Sequence, residues 1–347
     1  MRHPRDVLFG ANIAAALPVC DHYSGVESRM RKSLALQAEM SQEFGACVFD
    51  VTLDCEDGAP VGGEKDHANM VLALIQQAHA ATKGVADYIL PRVAVRVHPV
   101  DHPAFGQDLD IVVGGAASAL CHLMIPKVQT VADVNRAMQW VDPIAARAGR
   151  ADVLPLHVLL ESPSAVHHAF EIAAHTRVQS ISFGLMDFVS SHGGAIPFSA
   201  MGLHAGNDAD QLDQFTHPLV VRAKLGISSA CHAYGKVPAH CVVTEYANEA
   251  AVQSAARTAA RAFGYTRMWS IHPAQIRPIL EAFAPSAHEI ELATDIMRAA
   301  AQADWAPISF AGKLQDRASY RYFWQVLQRA HQTGRPLASE AQAYFAA

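Results

Sequence analysis

Eight short, mostly apolar runs recur along the chain, separated by segments with helical spacing. They are VLFGANI (7–13), ACVFDVTLD (46–54), RVAVRVHP (92–99), HLMIPKV (122–128), PLHVLLE (155–161), SISFGLMD (180–187), AHCVVTE (239–245) and RMWSIHP (267–273). Most are too continuously apolar to leave one face wet, which is the pattern of strands in a doubly covered parallel sheet. Between them, Thr130 and Asp133 form a capping-box pattern ahead of Val131, Val134, Met138 and Val141 at helical spacing. Ser162 followed by Pro163 opens another helix, with Ala165, Val166, Ala169, Phe170 and Ala173 expected on one face. The run EAAVQSAARTAARAFG closes on Gly264, a natural helix stop.

Eight strands alternating with helices predict an α/β fold of the (β/α)8 TIM-barrel type. A doubly wound sheet is the alternative, but no G-x-G-x-x-G follows the first run and no G-x-x-x-x-G-K-[ST] occurs. The barrel is expected to span residues 1–285. Residues 286–347 carry two further helical segments, HEIELATDIMRAAAQA and YRYFWQVLQRAHQTG, that an eight-fold barrel does not require. They predict a C-terminal helical extension acting as a lid, an oligomer contact, or both. The longest loop, about 188–216, follows the sixth run and is placed to shape a site.

Composition narrows the partners. The 347 residues carry a net charge of −6, which argues against a nucleic acid or an anionic membrane surface. No uninterrupted apolar run is long enough to span a bilayer, and Asn12 and Pro18 break the N-terminal apolar stretch, against a signal peptide. The six cysteines form no C-x-x-C and read as free thiols in a reducing cytoplasm. Nineteen histidines are an unusual number, yet no H-E-x-x-H occurs and the adjacent pair His167 and His168 point to different sides of a helix. Only His272, at a strand end, keeps a place near a site.

Charged residues stand at the ends of otherwise apolar runs: Asp54, Glu56, Asp57, Arg96, Lys127, Glu161, Asp187, Glu245 and His272. In a barrel all would face one mouth. Any one could simply be the first polar residue leaving the core, but that explanation weakens for the whole set, because buried charges need partners. Glu161 and Asp187, on adjacent strand ends, are the best pair for a hard divalent ion that keeps several waters. Arg96, flanked by small and β-branched residues, suits a carboxylate or developing oxyanion. An internal salt bridge to Asp54, Glu56 or Asp57 is the plainer alternative, and both can hold.

These stretches carry a resemblance. FDVTLDCEDGAPVGGEKDHA, RVHP, MIPKV, LLESPSAV, FGLMDF and WSIHPAQIRPILEAFAPSAHEIELA, in that order over about residues 45–295, are similar to the citrate lyase β-subunit-like branch of the HpcH/HpaI aldolase superfamily. The resemblance implies a magnesium-dependent carbon–carbon lyase acting on a CoA thioester. It makes Glu161 and Asp187 the Mg2+ ligands and gives catalytic roles to Arg96, Asp57 and Asp316. Substrate contact would fall to Arg96, Glu161 and Glu56. Asp316, in FAGKLQDRAS, would be supplied from a neighbouring subunit, which implies a homo-oligomer, a trimer or hexamer. The chain departs from the pattern at Asn69, where arginine is usual, and in PRDVLFGAN, which keeps the N-terminal motif only in part.

The expected reaction cleaves a 3-hydroxy-3-carboxyacyl-CoA, such as malyl-, citramalyl- or citryl-CoA, to acetyl-CoA and a 2-oxo acid. Two other readings stand beside it: a CoA-independent 2-oxo acid aldolase, and a non-catalytic subunit of a larger lyase complex.

Overall fold

The computed structural model describes residues 3–10, 16–81, 89–203 and 212–345. Two compact units divide the chain, Pro18–Ala282 and a second made of Met1–Leu17 with Phe283–Ala347. The expected division lay at residue 285, with the N-terminal residues counted as barrel.

In the larger unit, eight parallel strands close on themselves in chain order: β1 (Cys20–Ser24), β2 (Phe49–Asp54), β3 (Val93–Arg96), β4 (Leu120–Ile125), β5 (Leu156–Leu160), β6 (Val178–Phe183), β7 (Val237–His240) and β8 (Arg267–Ser270). β1 pairs with both β2 and β8, which seals the barrel. Seven of the eight expected strands are found. The first is not: Pro4–Phe9 is a helix, and residues 11–13 of that run lie outside the described residues. The true first strand, CDHYS, carries polar residues that face the barrel interior, so its run lacks the apolar continuity used to find the others.

The strand period of two sorts the barrel interior into tiers. Asp50, Thr52 and Asp54 rise along β2, and His157 and Leu159 lead to Glu161 along β5. Met124, Leu159 and Trp269 form an apolar middle tier between a polar tier at the amino ends of the strands and another at the carboxyl ends. The helices form where capping chemistry predicts. Thr130 and Asp133 make a reciprocal capping box on Val131–Arg147, and the Ser162 side chain accepts from Ala165 N at the head of Pro163–His167. Phe170 is exposed rather than packed, because that helical run is interrupted at His168.

The smaller unit pairs the helices Ala287–Gln302 and Arg317–Gln332, joined through a hairpin of Ile308–Phe310 and Lys313–Gln315. The helix Pro4–Phe9 packs with them, placing Leu8 in a core with Ile296, Met297, Tyr320, Trp324 and Leu327. Among the described residues no helix is long and apolar enough to cross a membrane.

Candidate active site

The loop after β2 is organised by one carboxylate. Asp54 Oδ1 accepts Glu56 N at 3.0 Å and Oδ2 accepts Gly58 N at 2.7 Å, so the chain curls tightly back over the end of the strand. A Cβ on Gly58 would sit 2.2 Å from the carbonyl oxygen of Gly25, and only glycine fits there. The curl delivers Glu56 and Asp57 onto Arg96, the last residue of β3.

The Arg96 guanidinium is almost fully engaged. Nε donates to Asp54 Oδ1 at 2.7 Å, and Nη2 reaches Asp54 Oδ2 at 3.0 Å, Asp57 Oδ2 at 2.9 Å and Tyr23 Oη at 3.0 Å. Nη1 pairs with Glu56 Oε2 at 2.8 Å. The Tyr23 hydroxyl in turn donates to Asp54, and the guanidinium lies over the Tyr23 ring at 4.8 Å. The internal salt bridges expected of Arg96, to Asp54, Glu56 and Asp57, all form at the barrel mouth. Of these partners Asp57 alone is well exposed, at 69% of its side chain. Burial would raise the Asp54 carboxyl, but Arg96 outweighs it and holds the group below the usual carboxylate range. Burial pushes Glu56 up against the opposing pull of Arg96 and Lys127.

Lys127 follows β4 with φ +54°, in the left-handed region. That conformation directs its backbone N–H to Glu161 Oε1 at 2.7 Å, while Nζ pairs with Glu56 Oε1 at 2.9 Å. Glu161 lies just past β5 and is buried. Gly184 makes room for it, because a Cβ there would approach Glu161 Oε2 to 2.7 Å. Burial, then the charges of Asp187 and Glu56, push the Glu161 carboxyl up to about 8. Asp187 is exposed and is not a strand residue: β6 ends at Phe183, and Asp187 belongs to the short helix Leu185–Ser190. Five carboxylates thus face two cations, an excess of negative charge built from hard oxygen donors.

Glu245 is a correction of a different kind. β7 ends at His240, and the Glu245 carboxylate turns to the loop after β6, accepting Leu203 N at 2.9 Å. His272 caps the turn Pro273–Gln275 and stacks on Tyr246 at 4.7 Å. Asp316 lies in the smaller unit, where its Oδ1 accepts Ala318 N at 2.9 Å and Ser319 N at 3.3 Å as a helix cap.

The sequence reading missed two features of this mouth. Tyr23 was overlooked because the first strand was placed at residues 7–13. His98, two residues beyond Arg96, was passed over among so many histidines, although its Nδ1 lies 2.7 Å from Asp108 Oδ2.

A second charged cluster fills the opposite tier. Arg267 Nη2 lies 2.9 Å from Asp21 and 2.7 Å from Asp50, and Arg92 also pairs with Asp50 at 2.5 Å. His122 and His157 stack there with ring centroids 3.5 Å apart and an angle of 13° between planes. Burial keeps both imidazoles neutral, well below their ordinary values. Asp21, His122 and His157 offer ligand-type atoms within 4.8 Å of one another. Rings stacked in near-parallel planes cannot both aim a lone pair at one ion, and the carboxylates are already matched by guanidinium groups. This tier is a closed ion-pair network.

An eight-stranded parallel barrel that gathers acidic residues, an arginine and a lysine beyond the carboxyl ends of its strands has the layout of a TIM-barrel enzyme. Residues 33–273 match the HpcH/HpaI aldolase/citrate lyase family, and the chain belongs to that family. Membership makes it a carbon–carbon lyase. It is 28% identical over 302 residues to the L-malyl-CoA/beta-methylmalyl-CoA lyase of Cereibacter sphaeroides, covering 83% of this chain and 90% of that one. Its fold is similar to a crystal structure of a citrate lyase from Burkholderia xenovorans, at 45% identity and a TM-score of 0.77, covering 99% and 100% of the two chains. It also resembles the CitE protein of Mycobacterium tuberculosis crystallised with magnesium, acetoacetate and coenzyme A, at 21% identity and a TM-score of 0.59, covering 91% and 98%.

Proposed function

We propose that this chain cleaves a 3-hydroxy-3-carboxyacyl-CoA to acetyl-CoA and a 2-oxo acid, with Mg2+ as its cofactor. The observation that carries the reading is the uncompensated carboxylate set at the mouth, Glu161 above all. A carboxyl raised to about 8 by burial and then by the like charges of Asp187 and Glu56, seated in a glycine cradle, is stabilised by a hard cation. Glu161 and Asp187 would hold the ion, with Glu56 ordering its surroundings. Bound magnesium would supply Lewis acidity to an oxygen-rich substrate. Support also comes from the malyl-CoA lyase relative, which covers most of both chains.

The chain's own residues then have distinct tasks. Arg96 would meet the substrate carboxylate and the oxygen of the carbonyl as it forms, with the exposed Asp57 giving way at Nη2. Asp54 and Tyr23 fix the guanidinium so that this donor is pre-aimed. Lys127 fixes Glu161 through its backbone N–H and Glu56 through its ammonium. Asp316 spends Oδ1 on its helix cap, and we place it in an acid/base role within an assembled homo-oligomer.

The test is a cleavage assay with magnesium across malyl-, citramalyl- and citryl-CoA, identifying the 2-oxo acid released. Magnesium-dependent release of glyoxylate, pyruvate or oxaloacetate with acetyl-CoA is expected. No turnover of any of the three would overturn the reading.

A further inference from the structure

We propose that His98, oriented by Asp108, is the base that takes the hydroxyl proton as the carbon–carbon bond breaks, an inference that rests on the lyase reading above. His98 follows β3 by two residues and is buried. Asp108 Oδ2 accepts both the His98 backbone N–H at 2.9 Å and lies 2.7 Å from its Nδ1. Asp108 is itself fully buried, and among the described residues no arginine or lysine pairs with it.

The carboxylate settles the tautomer. An acceptor at 2.7 Å from Nδ1 places the ring hydrogen there and leaves Nε2 with a free lone pair. Nε2 has no protein partner among the described residues. The other histidines near the mouth are arranged differently. His67 Nε2 lies 2.7 Å from the Asp54 carbonyl oxygen and His102 Nδ1 accepts Ala104 N at 3.2 Å, and among the described residues neither ring has a carboxylate behind it as His98 has. His272 Nδ1 accepts Ala274 N at 3.2 Å, so its hydrogen sits on Nε2, a donor. His22 has both nitrogens engaged, with Ser270 at 2.6 Å and Ser33 at 2.9 Å. Asp54 has both oxygens committed, and Glu56 is shared between Arg96 and Lys127. His98 is left as the neutral nitrogen base, with the carboxylate behind it that an imidazole needs in order to accept a proton.

Its surroundings favour the cation that would form. Asp108 faces it from the helix Phe105–Asp108, and His102 stacks on it with ring centroids 4.3 Å apart. Glu64 at the head of the helix Glu64–Ala80 interacts electrostatically with both imidazoles. Glu56 and Asp54 act on it from the end of β2. Burial alone would lower the imidazole, but Asp108, then Glu56 and Asp54, hold it above its ordinary value.

The step balances without a further reagent. The hydroxyl proton moves to Nε2, and the O–H pair becomes the second bond of the new 2-oxo acid carbonyl. The carbon–carbon pair departs as the enolate of the acyl thioester, which takes a proton at carbon from Asp316 in the acid role proposed above. Asp316 regains a proton from solvent, and His98 returns its own to solvent.

The pH profile of kcat/KM tests this. The wild-type profile is expected to fall at low pH with a limb above about 6.5, the ordinary imidazole value. His98→Gln is expected to lower kcat by roughly 10²–10⁴-fold and remove that limb. Asp108→Asn should move the limb to lower pH, and free imidazole should partly restore His98→Ala. A kcat within threefold of wild type in His98→Gln, or an unmoved limb in Asp108→Asn, overturns the proposal. If the His98 variants do not fold, the Asp108→Asn limb decides alone. A wild-type protein that cleaves no thioester overturns the lyase reading, and this inference with it.

Discussion

The two charged tiers of the barrel use the same residue types to opposite ends. At the amino ends of the strands, Asp21 and Asp50 are matched by Arg267 and Arg92, and Asp21, Asp50 and Arg267 are fully buried. At the carboxyl ends, Arg96 and Lys127 face five carboxylates, and Asp57 and Asp187 reach solvent. The first set is electrically complete and serves the fold. The second is left incomplete, and that deficit is what an enzyme site offers to a cation and an anionic substrate. Perturbed carboxylates therefore mean different things at the two ends. Both carboxyls are buried, but Asp50 is held low by its guanidinium partners, while burial of Glu161 is reinforced by the like charges of Asp187 and Glu56 and raises it.

The sharpest way to break the comparison is to neutralise one carboxylate in each tier. Glu161→Gln is expected to lower magnesium-dependent cleavage by about 10³-fold or more, since a Lewis acid supplies several kcal/mol of transition-state stabilisation. The metal-free Tm should not fall, because like-charge repulsion is removed. Asp50→Asn should do the reverse. It leaves two guanidinium groups short of a buried counter-charge and is expected to cost about 3–5 kcal/mol in a denaturant titration. Activity per folded molecule should be preserved. A stable Asp50→Asn or a fully active Glu161→Gln would erase the distinction.

A third buried charge sharpens it. Lys224 is fully buried against Gln214 Oε1 at 2.9 Å and the Phe215 ring at 4.0 Å. Burial lowers its ammonium to about 8. The unfolded chain keeps the ordinary lysine value near 10.4, so between those values it binds more protons than the folded chain, and stability rises with pH there. Lys224→Met is expected to flatten that rise and to raise stability at pH 7 by up to about 3 kcal/mol, read as Tm against pH.

Much of this was legible in the chain. Continuous apolar runs identified β2 to β8, since a strand covered on both faces has no polar alternation to confuse it. Ion-pairing logic brought Arg96 to Asp54, Glu56 and Asp57. β1 was hidden because Asp21 and Tyr23 belong to the two polar tiers, so a barrel strand there reads as a polar turn. The lower tier was hidden for the same reason: Asp50 and Arg267 look like strand-entry residues until closure of the barrel brings β1, β2 and β8 together. His98 left a trace, an R-x-H spacing that repeats the strand period, but its meaning depends on Asp108 ten residues on, beyond the reach of any periodicity.

The smaller unit joins both chain ends. His3 Nε2 lies 3.0 Å from the Tyr344 carbonyl oxygen, and its ring packs edge-on to Trp324 at 5.4 Å. On the ribosome, at about 5–20 residues per second, Leu8 must wait roughly fifteen seconds to a minute for those partners to be made. The barrel strands are complete well before then. The helix Pro4–Phe9 is therefore made well before its partners, and until they arrive its apolar side is open to whatever holds nascent chains.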